Sequence, residues 1–384
     1  MIRKLKLFVF LLLTGFSLFA QDQYLTAKTE DLEKTFENKS SYSVKEFPQK
    51  FRKDKPKNII LLIGDGMGVS QVFAGLTANR GHLFLENCKY IGFSKTQSAD
   101  NYITDSAAGG TALSAGVKTY NGAIGVDEKG NQVKTILEEA SENGLATGLV
   151  STSAITHATP ASFIAHQANR GSYEDIAADF LKTNIDVFIG GGLDHFTKRK
   201  DGRDLTDDLK NKGYKVETDL KKIGKVKKGK LAGLTAEVHN GRVAERGEML
   251  SVATETALNI LDNNKKGFFL MIEGSQIDWG GHAGSTIYVA EDMLDFDQVI
   301  GKALEFAAKD KETLIIVTAD HETGGMAITD GDMQKGVVKA AFPTGSHTAV
   351  MVPVFSYGPG AEEFIGIMEN TDISAKMKRL LLVD

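Results

Sequence analysis

The sequence predicts an α/β protein: a three-layer α/β/α sandwich with a large, mostly parallel central sheet. Three observations predict it. Apolar runs of strand length, bounded by glycine or polar residues, mark strands buried on both faces. Amphipathic stretches with apolar residues three and four apart separate them, as crossover helices do in a covered parallel sheet. Carboxylates and histidines cluster just past the apolar runs, where open α/β sheets bind ligands.

The elements follow in order. Residues 1–20 pair a basic start, "MIRKLK", with the apolar run "LFVFLLLTGFSLF" and end at Ala20, the pattern of a secretory signal. The apolar run is shorter than the ~20 residues of a membrane span, so no stable span is expected. Residues 21–50 are polar and weakly patterned, a short helix or N-terminal arm ahead of a catalytic domain expected over 51–384. "NIILLIG" (58–64) is the first buried strand. "SAAGGTALSAG" from Ser106 reads as a helix start. "QVKTILEEASENG" is an amphipathic helix ending at a glycine, and "LATGLVSTS" (145–153) is the strand after it. "VFIGGG" (187–192) is a third strand, and "GFFLMIEG" (267–274), preceded by a helical stretch, a fourth. "TLIIVTAD" (313–320) follows a long amphipathic helix over about 286–309. "AVMVPVFSYG" (349–358) is a late strand that Pro353 assigns to an edge. No internal repeat or linker divides the chain, so one domain is expected.

Composition narrows the function classes. The net charge is −5, and removal of the leader with Arg3, Lys4 and Lys6 takes it to near −8, which argues against nucleic-acid binding. The basic run "KKIGKVKKGK" (221–230) reads as a solvated loop. The single cysteine, Cys88, excludes an internal disulfide and reads as a small buried apolar residue.

Past the strands stand Asp65, Glu273, Asp278 with His282, and Asp320 with His321; His347 precedes the last run. His157 and Thr159 follow the strand at 145–153. An acid after a strand is ordinarily a helix cap and a lone histidine ordinarily a structural polar group, but here they converge on one rim. Crowded carboxylates repel by several kcal/mol unless positive charge sits among them. Oxygen and imidazole donors suit zinc-like divalent ions, and seven donors exceed one tetrahedral ion, so two or three metals fit. "GDGMG" also imitates a dinucleotide fingerprint, but Asp65 would put negative charge where a pyrophosphate lies. Ser106, at a helix N-terminus favouring anions, lacks a nearby histidine base in sequence; a metal ion could ionise it instead. His82, His166, His195 and His239 have no such company and read as structural or surface residues.

The blocks "NIILLIGDGMG", "TDSAAGGTALSAGVKTYNGAIGVD", "THATPASFIAHQANR", "IEGSQIDWGGH", "TADHETGG" and "TGSH" resemble the alkaline phosphatase family, in the same order, over about residues 57–360. The resemblance implies hydrolysis of small phosphomonoester substrates to inorganic phosphate, with two Zn²⁺ and a third site that usually holds Mg²⁺. Residue by residue, Ser106 resembles the nucleophile that becomes phosphoserine, and Arg170 the guanidinium gripping two phosphate oxygens. Asp278, His282 and His347 would hold one zinc. Asp65, Asp320 and His321 would hold the other, with Asp65 bridging to a third site completed by Thr159 and Glu273. An exported, periplasmic or secreted protein and a possible homodimer complete the expectation.

Two positions near the third site depart from the family's better-studied patterns. His157 and Trp279 replace an acid and an amine, or two imidazoles, which leaves that cation open between magnesium, cobalt and another divalent ion; His157 could ligate it. Only 25 residues separate His321 from His347, predicting a short lid and broad substrate tolerance. Alternatives are a phosphodiesterase or sulfatase of the same superfamily, or an exported metal- or phosphate-binding protein without turnover. "DSAAG" lacks the C/S-x-P-x-R context of sulfatases, and diesterases usually carry threonine and no Arg170-like clamp.

Overall fold

The computed structural model describes residues 35–52 and 55–382, so the leader expected over 1–20 lies outside the described residues. In chain order the strands are β1 (Thr35–Glu37), β2 (Asn58–Gly64), β3 (Tyr90–Lys95), β4 (Ala146–Ala154), β5 (Val187–Gly191), β6 (Tyr214–Glu217) and β7 (Lys230–Leu234). They continue as β8 (Phe268–Gly274), β9 (Thr313–Thr318), β10 (Glu322–Thr323), β11 (Ala327–Asp332), β12 (Val337–Ala341), β13 (His347–Thr348), β14 (Val352–Tyr357) and β15 (Gly366–Glu369). Ten form one sheet in the order β15-β3-β14-β9-β2-β8-β4-β5-β7-β6. The seven from β9 to β6 are parallel throughout.

The apolar runs dictate this arrangement. Every side chain of Ile59–Ile63 is fully buried, and alternate residues serve opposite faces. Ile60 and Leu62 pack with Leu250, Ala253, Met293 and Phe296 from the helices Met249–Leu261 and Thr286–Asp310. Ile59, Leu61 and Ile63 pack with Ala107, Leu113, Leu137 and Ile373 from the helices Ser106–Ala115, Ile136–Glu142 and Asn370–Leu382. The expected three layers follow from this split.

Register brings the strand ends level. Ile63 lies opposite both Glu273 and Thr318, and Ser151 opposite Glu273. Residues just past β2, β8 and β9 therefore share one rim. On β4 the register against β5 slips between Val150 and Ala154, and Ser151 and Ser153, two apart and so on one face of the strand, both donate to Glu273.

Two sequence expectations change. β14 is not an edge strand: it pairs antiparallel with both β3 and β9. Pro353 is tolerated because the β9 pairing reaches only Phe355–Tyr357; its carbonyl instead accepts from the Thr318 hydroxyl, so no backbone donor is required on that side. The basic run is not one loop. It includes the last three residues of the short helix Leu220–Ile223 and the first residue of β7, and is pinned by buried Ile223 and Val226. Of the segment expected as a short helix or arm over 21–50, the described residues 35–50 are β1 and irregular chain. β1 pairs with β12 in a three-stranded sheet with β11, and Tyr42 donates to Asp297 Oδ2 at 2.6 Å. The segment read as a short lid forms the β11–β12 hairpin of that sheet, packed on the helices Val69–Ala78 and Thr286–Asp310.

Candidate metal centre

Three groups of potential ligands lie at the carboxyl rim of the sheet. Asp278, His282 and His347 offer ligand atoms within 4.8 Å of one another, as do Asp65, Asp320 and His321, and Asp65, His157 and Glu273. Asp65 belongs to two groups and so joins them. Asp278 and His282, four apart on the helix Gln276–His282, share one helical face. That helix comes close because of glycine: Gly66 has φ +72°, and a Cβ there would lie 2.7 Å from Asp278 Cα. The "GDG" that imitates a nucleotide loop is thus a close-packing device.

Hydrogen bonds fix the imidazole tautomers. His282 Nδ1 donates to the Gly345 carbonyl at 2.8 Å and His347 Nδ1 to the Thr104 carbonyl at 2.9 Å. When neutral, both rings present Nε2 lone pairs, and these two atoms face each other at 3.2 Å; without a cation there, Asp278 raises the His282 pKa to about 9, so that a proton takes the place. Asp278 Oδ1 lies 3.4 Å from one and 3.5 Å from the other. Three acceptors meeting this way require a cation or a proton between them. The Thr323 hydroxyl donates to Asp278, so its oxygen accepts from His321 Nδ1 at 3.2 Å. That leaves His321 Nε2 bare too, 3.4 Å from Asp65 Oδ1 and 3.3 Å from Asp320 Oδ2. Partners on the far ring nitrogen are the usual way metal-ligating histidines are oriented.

The electrostatics show a deficit of positive charge. Burial, then Asp320 and Asp278, pushes the Asp65 carboxyl well above its ordinary range. Burial and the neighbouring carboxylates push Asp320 up to about 8, and burial raises Glu273. Burial opposes ionisation of Asp278 as well, yet His282, His347 and His321 hold it well below the usual carboxylate range. Asp65 Oδ1, Glu273 Oε1 and Asp320 Oδ2 are buried and accept no hydrogen bond from any described residue. Each such orphan costs about 1–3 kcal/mol. Bare imidazole nitrogens and unsatisfied carboxylate oxygens, gathered in trios, fit zinc-type ions, and the residues present therefore fit a metal cluster.

Ser106 is the first residue of its helix, not its cap. Asp105 caps it, accepting from Ala108 N at 3.0 Å. Ser106 Oγ is buried and donates to His321 Nε2 at 3.2 Å, so it faces the Asp65–Asp320–His321 group. Gly109 lets the helix approach β9, since a Cβ there would meet Asp320 Cβ and its carbonyl oxygen at 3.0 Å. Arg170 donates from Nη1 to Asp105 Oδ2 at 3.0 Å and from Nη2 to His157 Nε2 at 3.3 Å. Its guanidinium is thereby held beside the N-terminus that carries Ser106.

The third group is lined differently. Thr159 Oγ1 donates to Asp65 Oδ2 at 3.3 Å, and Ser151 donates to Glu273 Oε2 at 2.6 Å. Trp279 and His157 are buried with their rings edge to face. All twelve residues singled out in the sequence thus meet at one rim. Asp105, Ser151, Ser153 and Thr323 also belong to it and were not singled out, and His239, read from the sequence as structural or surface and without company, is buried there against His157 and Trp279. An acid directly before a helical Ser106 was a legible cap signal for Asp105, and alternating serines at a strand end a faint one for Ser151 and Ser153. Thr323 and His239 carried no local signal.

The comparisons agree with this architecture. The family model described as alkaline phosphatase matches residues 56–341. Alkaline phosphatase 4 of Bacillus subtilis is 38% identical over 82% of this chain and 87% of its own length. The alkaline phosphatase of the Antarctic bacterium TAB5 superposes with a TM-score of 0.81 at 45% identity, covering 85% of this chain and 98% of that one. A variant of the TAB5 enzyme with a histidine replaced by glutamate, described with Mg bound in its M3 site, gives 0.80 at 45% identity over the same 85% and 98%. Among the described residues no helix is long and apolar enough to cross a membrane. Family model, relatives and a rim of buried acids and bare imidazoles beside a helix-borne serine converge: the chain belongs to the alkaline phosphatase family and is a phosphomonoesterase.

Proposed function

We propose that the chain hydrolyses phosphomonoesters through a phosphoserine on Ser106, at a site holding two Zn²⁺ and a third cation. The observation that carries this reading is Ser106 Oγ, buried at a helix N-terminus and 3.2 Å from the bare Nε2 of His321. Asp278, His282 and His347 would hold one zinc, and Asp65, Asp320 and His321 the other. Asp65, Thr159 and Glu273, with His157 at hand, would hold the third cation, for which the Mg-bound TAB5 variant supports magnesium. Bound there, the ions would supply Lewis-acid stabilisation of the entering and leaving oxygens and ease ionisation of the serine hydroxyl.

The chain's own residues do the rest. Ser106 Oγ forms a bond to phosphorus as the ester oxygen–phosphorus bond breaks and the alcohol departs. Water then attacks phosphorus, releasing inorganic phosphate and restoring Ser106. Arg170, anchored by Asp105, grips two phosphoryl oxygens through parallel N–H donors. The helix N-terminus at Ser106 favours the negative charge gathered there.

Ser106→Ala is expected to lower turnover by orders of magnitude while metal content stays at two to three ions. Labelled substrate quenched in acid should leave phosphate on Ser106; full activity in the variant, or label elsewhere, overturns the reading. The short segment between His321 and His347 supports an open site with broad tolerance, checked by comparing rates across small and bulky esters. The basic-then-apolar start supports export. A homodimer is proposed from family membership and is checked by sedimentation.

A further inference from the structure

His239 carries no motif, yet the loop bearing it is built with care. It follows β7 and is tied to the end of β5: Thr235 N donates to the Gly190 carbonyl at 2.8 Å, and Gly192 and Leu193 both donate to the Ala236 carbonyl at 3.0 Å. The Gln276 amide, two residues before Asp278, donates to the Asn240 carbonyl at 2.8 Å. Gly191 permits the approach, because a Cβ there would lie 2.2 Å from the Val238 carbonyl oxygen.

The loop delivers a buried imidazole to a defined place. His239 Nδ1 accepts the Ala154 N–H at 3.0 Å, so the neutral ring keeps its proton on Nε2. Ala154 closes β4, directly after Ser153, which together with Ser151 donates to Glu273. The His239 ring stands 5.0 Å from Trp279 at 82° and 5.6 Å from His157 at 86°. His157 and Trp279 are themselves 6.3 Å apart at 89°. Three mutually perpendicular rings make a corner in which turning any one drives its edge into a neighbour's face.

We infer that His239 is a positioning residue for the third cation: it fixes the His157 ring against Asp65 and Glu273 and so sets how tightly that cation binds. This rests on the third-cation reading proposed above. His239 touches neither substrate nor reacting atoms; it acts through His157. Partners of this rank typically carry 10- to 100-fold of metal affinity.

Trp279 is the chain's single tryptophan, so its fluorescence reads the corner directly. His239→Asn and His239→Gln each offer an oxygen to the Ala154 N–H while removing the ring, and either one that folds serves. Zinc-loaded wild type and variants are titrated with Mg²⁺, following Trp279 emission and bound Mg²⁺ by equilibrium dialysis, with kcat and KM measured alongside. The expected result is Mg²⁺ binding weakened about 10- to 100-fold, altered Trp279 emission before Mg²⁺ is added, and a lowered kcat that excess Mg²⁺ restores at nearly unchanged KM. Variants that bind Mg²⁺ as a Mg²⁺-binding wild type does overturn the role of His239. A wild type that takes up no third ion sinks the third-cation reading itself, and this inference with it.

Discussion

The hydroxyl of Thr323 donates to Asp278 and accepts from His321 Nδ1, so one small side chain touches both zinc-type trios. Thr323→Val keeps the shape and removes both contacts, leaving the Asp278 oxygen short of a donor and the His321 tautomer unfixed. Zinc retention after dialysis against a mild chelator is expected to fall about 10- to 100-fold, and retention equal to wild type would refute the argument. His166 illustrates a different residue-scale effect. Its Nε2 lies 2.9 Å from Glu138 Oε1 and its Nδ1 donates to the Gly125 carbonyl at 2.6 Å. Burial opposes its charge, but these two acceptors outweigh burial and raise the pKa above the ordinary imidazole value. A raised folded pKa means stability fully present below about 6.5 and lost as pH rises through the folded value. The melting-temperature gap between wild type and His166→Gln should therefore be wider near pH 6 than near pH 9, as scanning calorimetry would register. A gap that widens with rising pH would contradict the assignment. The Asp278, Glu138 and Gly125 partners lie far along the chain and were not readable locally, and the Thr323–His321 pair, though only two residues apart, depends on a ring orientation that no local pattern records.

Among the elements, the helix Ser106–Ala115 is shaped by what it must approach. Its small residues resemble weak helix design, and glycine at Gly109 and Gly110 costs about 1 kcal/mol each relative to alanine. The gain is proximity: an alanine Cβ at Gly109 would press on Asp320 at 3.0 Å. Gly109→Ala should thus run against helix propensity, costing about 1–3 kcal/mol through overpacking and lowering kcat by shifting Ser106 against its neighbours. A thermal melt and a rate measurement suffice, and a stabilised, fully active variant would show that the close approach is idle. The buried strands were legible because a strand covered on both faces favours an apolar run: β2, β5, β8 and β9 have one, and β4 has only the short core Leu149–Val150 among small and hydroxyl residues. β3, β6, β11, β12 and β15 escaped notice, being partly exposed and lacking that signature, and β7 because its buried apolar stretch Leu231–Leu234 is short; β3, for example, alternates buried Gly92 and Ser94 with exposed Phe93 and Lys95. Pro353 misled for a related reason: whether proline sits at an edge depends on how far a neighbouring strand extends, which no local pattern records.

For the molecule as a whole, the parallel sheet gathers carboxylates that would repel one another without cations. Chelation should remove activity and lower the melting temperature together, and zinc with magnesium should restore both. Each ion contributes about 4 kcal/mol when present at a thousand times its Kd, so a melting temperature indifferent to chelation would refute a metal-held rim. The free, buried Cys88 offers no compensating disulfide. The sequence alone determined the layered α/β class, the rim as the working end and the residue types gathered there, because burial periodicity and strand-end position are local properties. Only the tertiary structure decided which imidazole nitrogen faces the ions, what anchors Arg170, and that His239 stands beside His157. Those depend on partners brought together from strands and loops far apart in the chain, and the distances and tautomers that carry the chemistry exist only once the chain has folded.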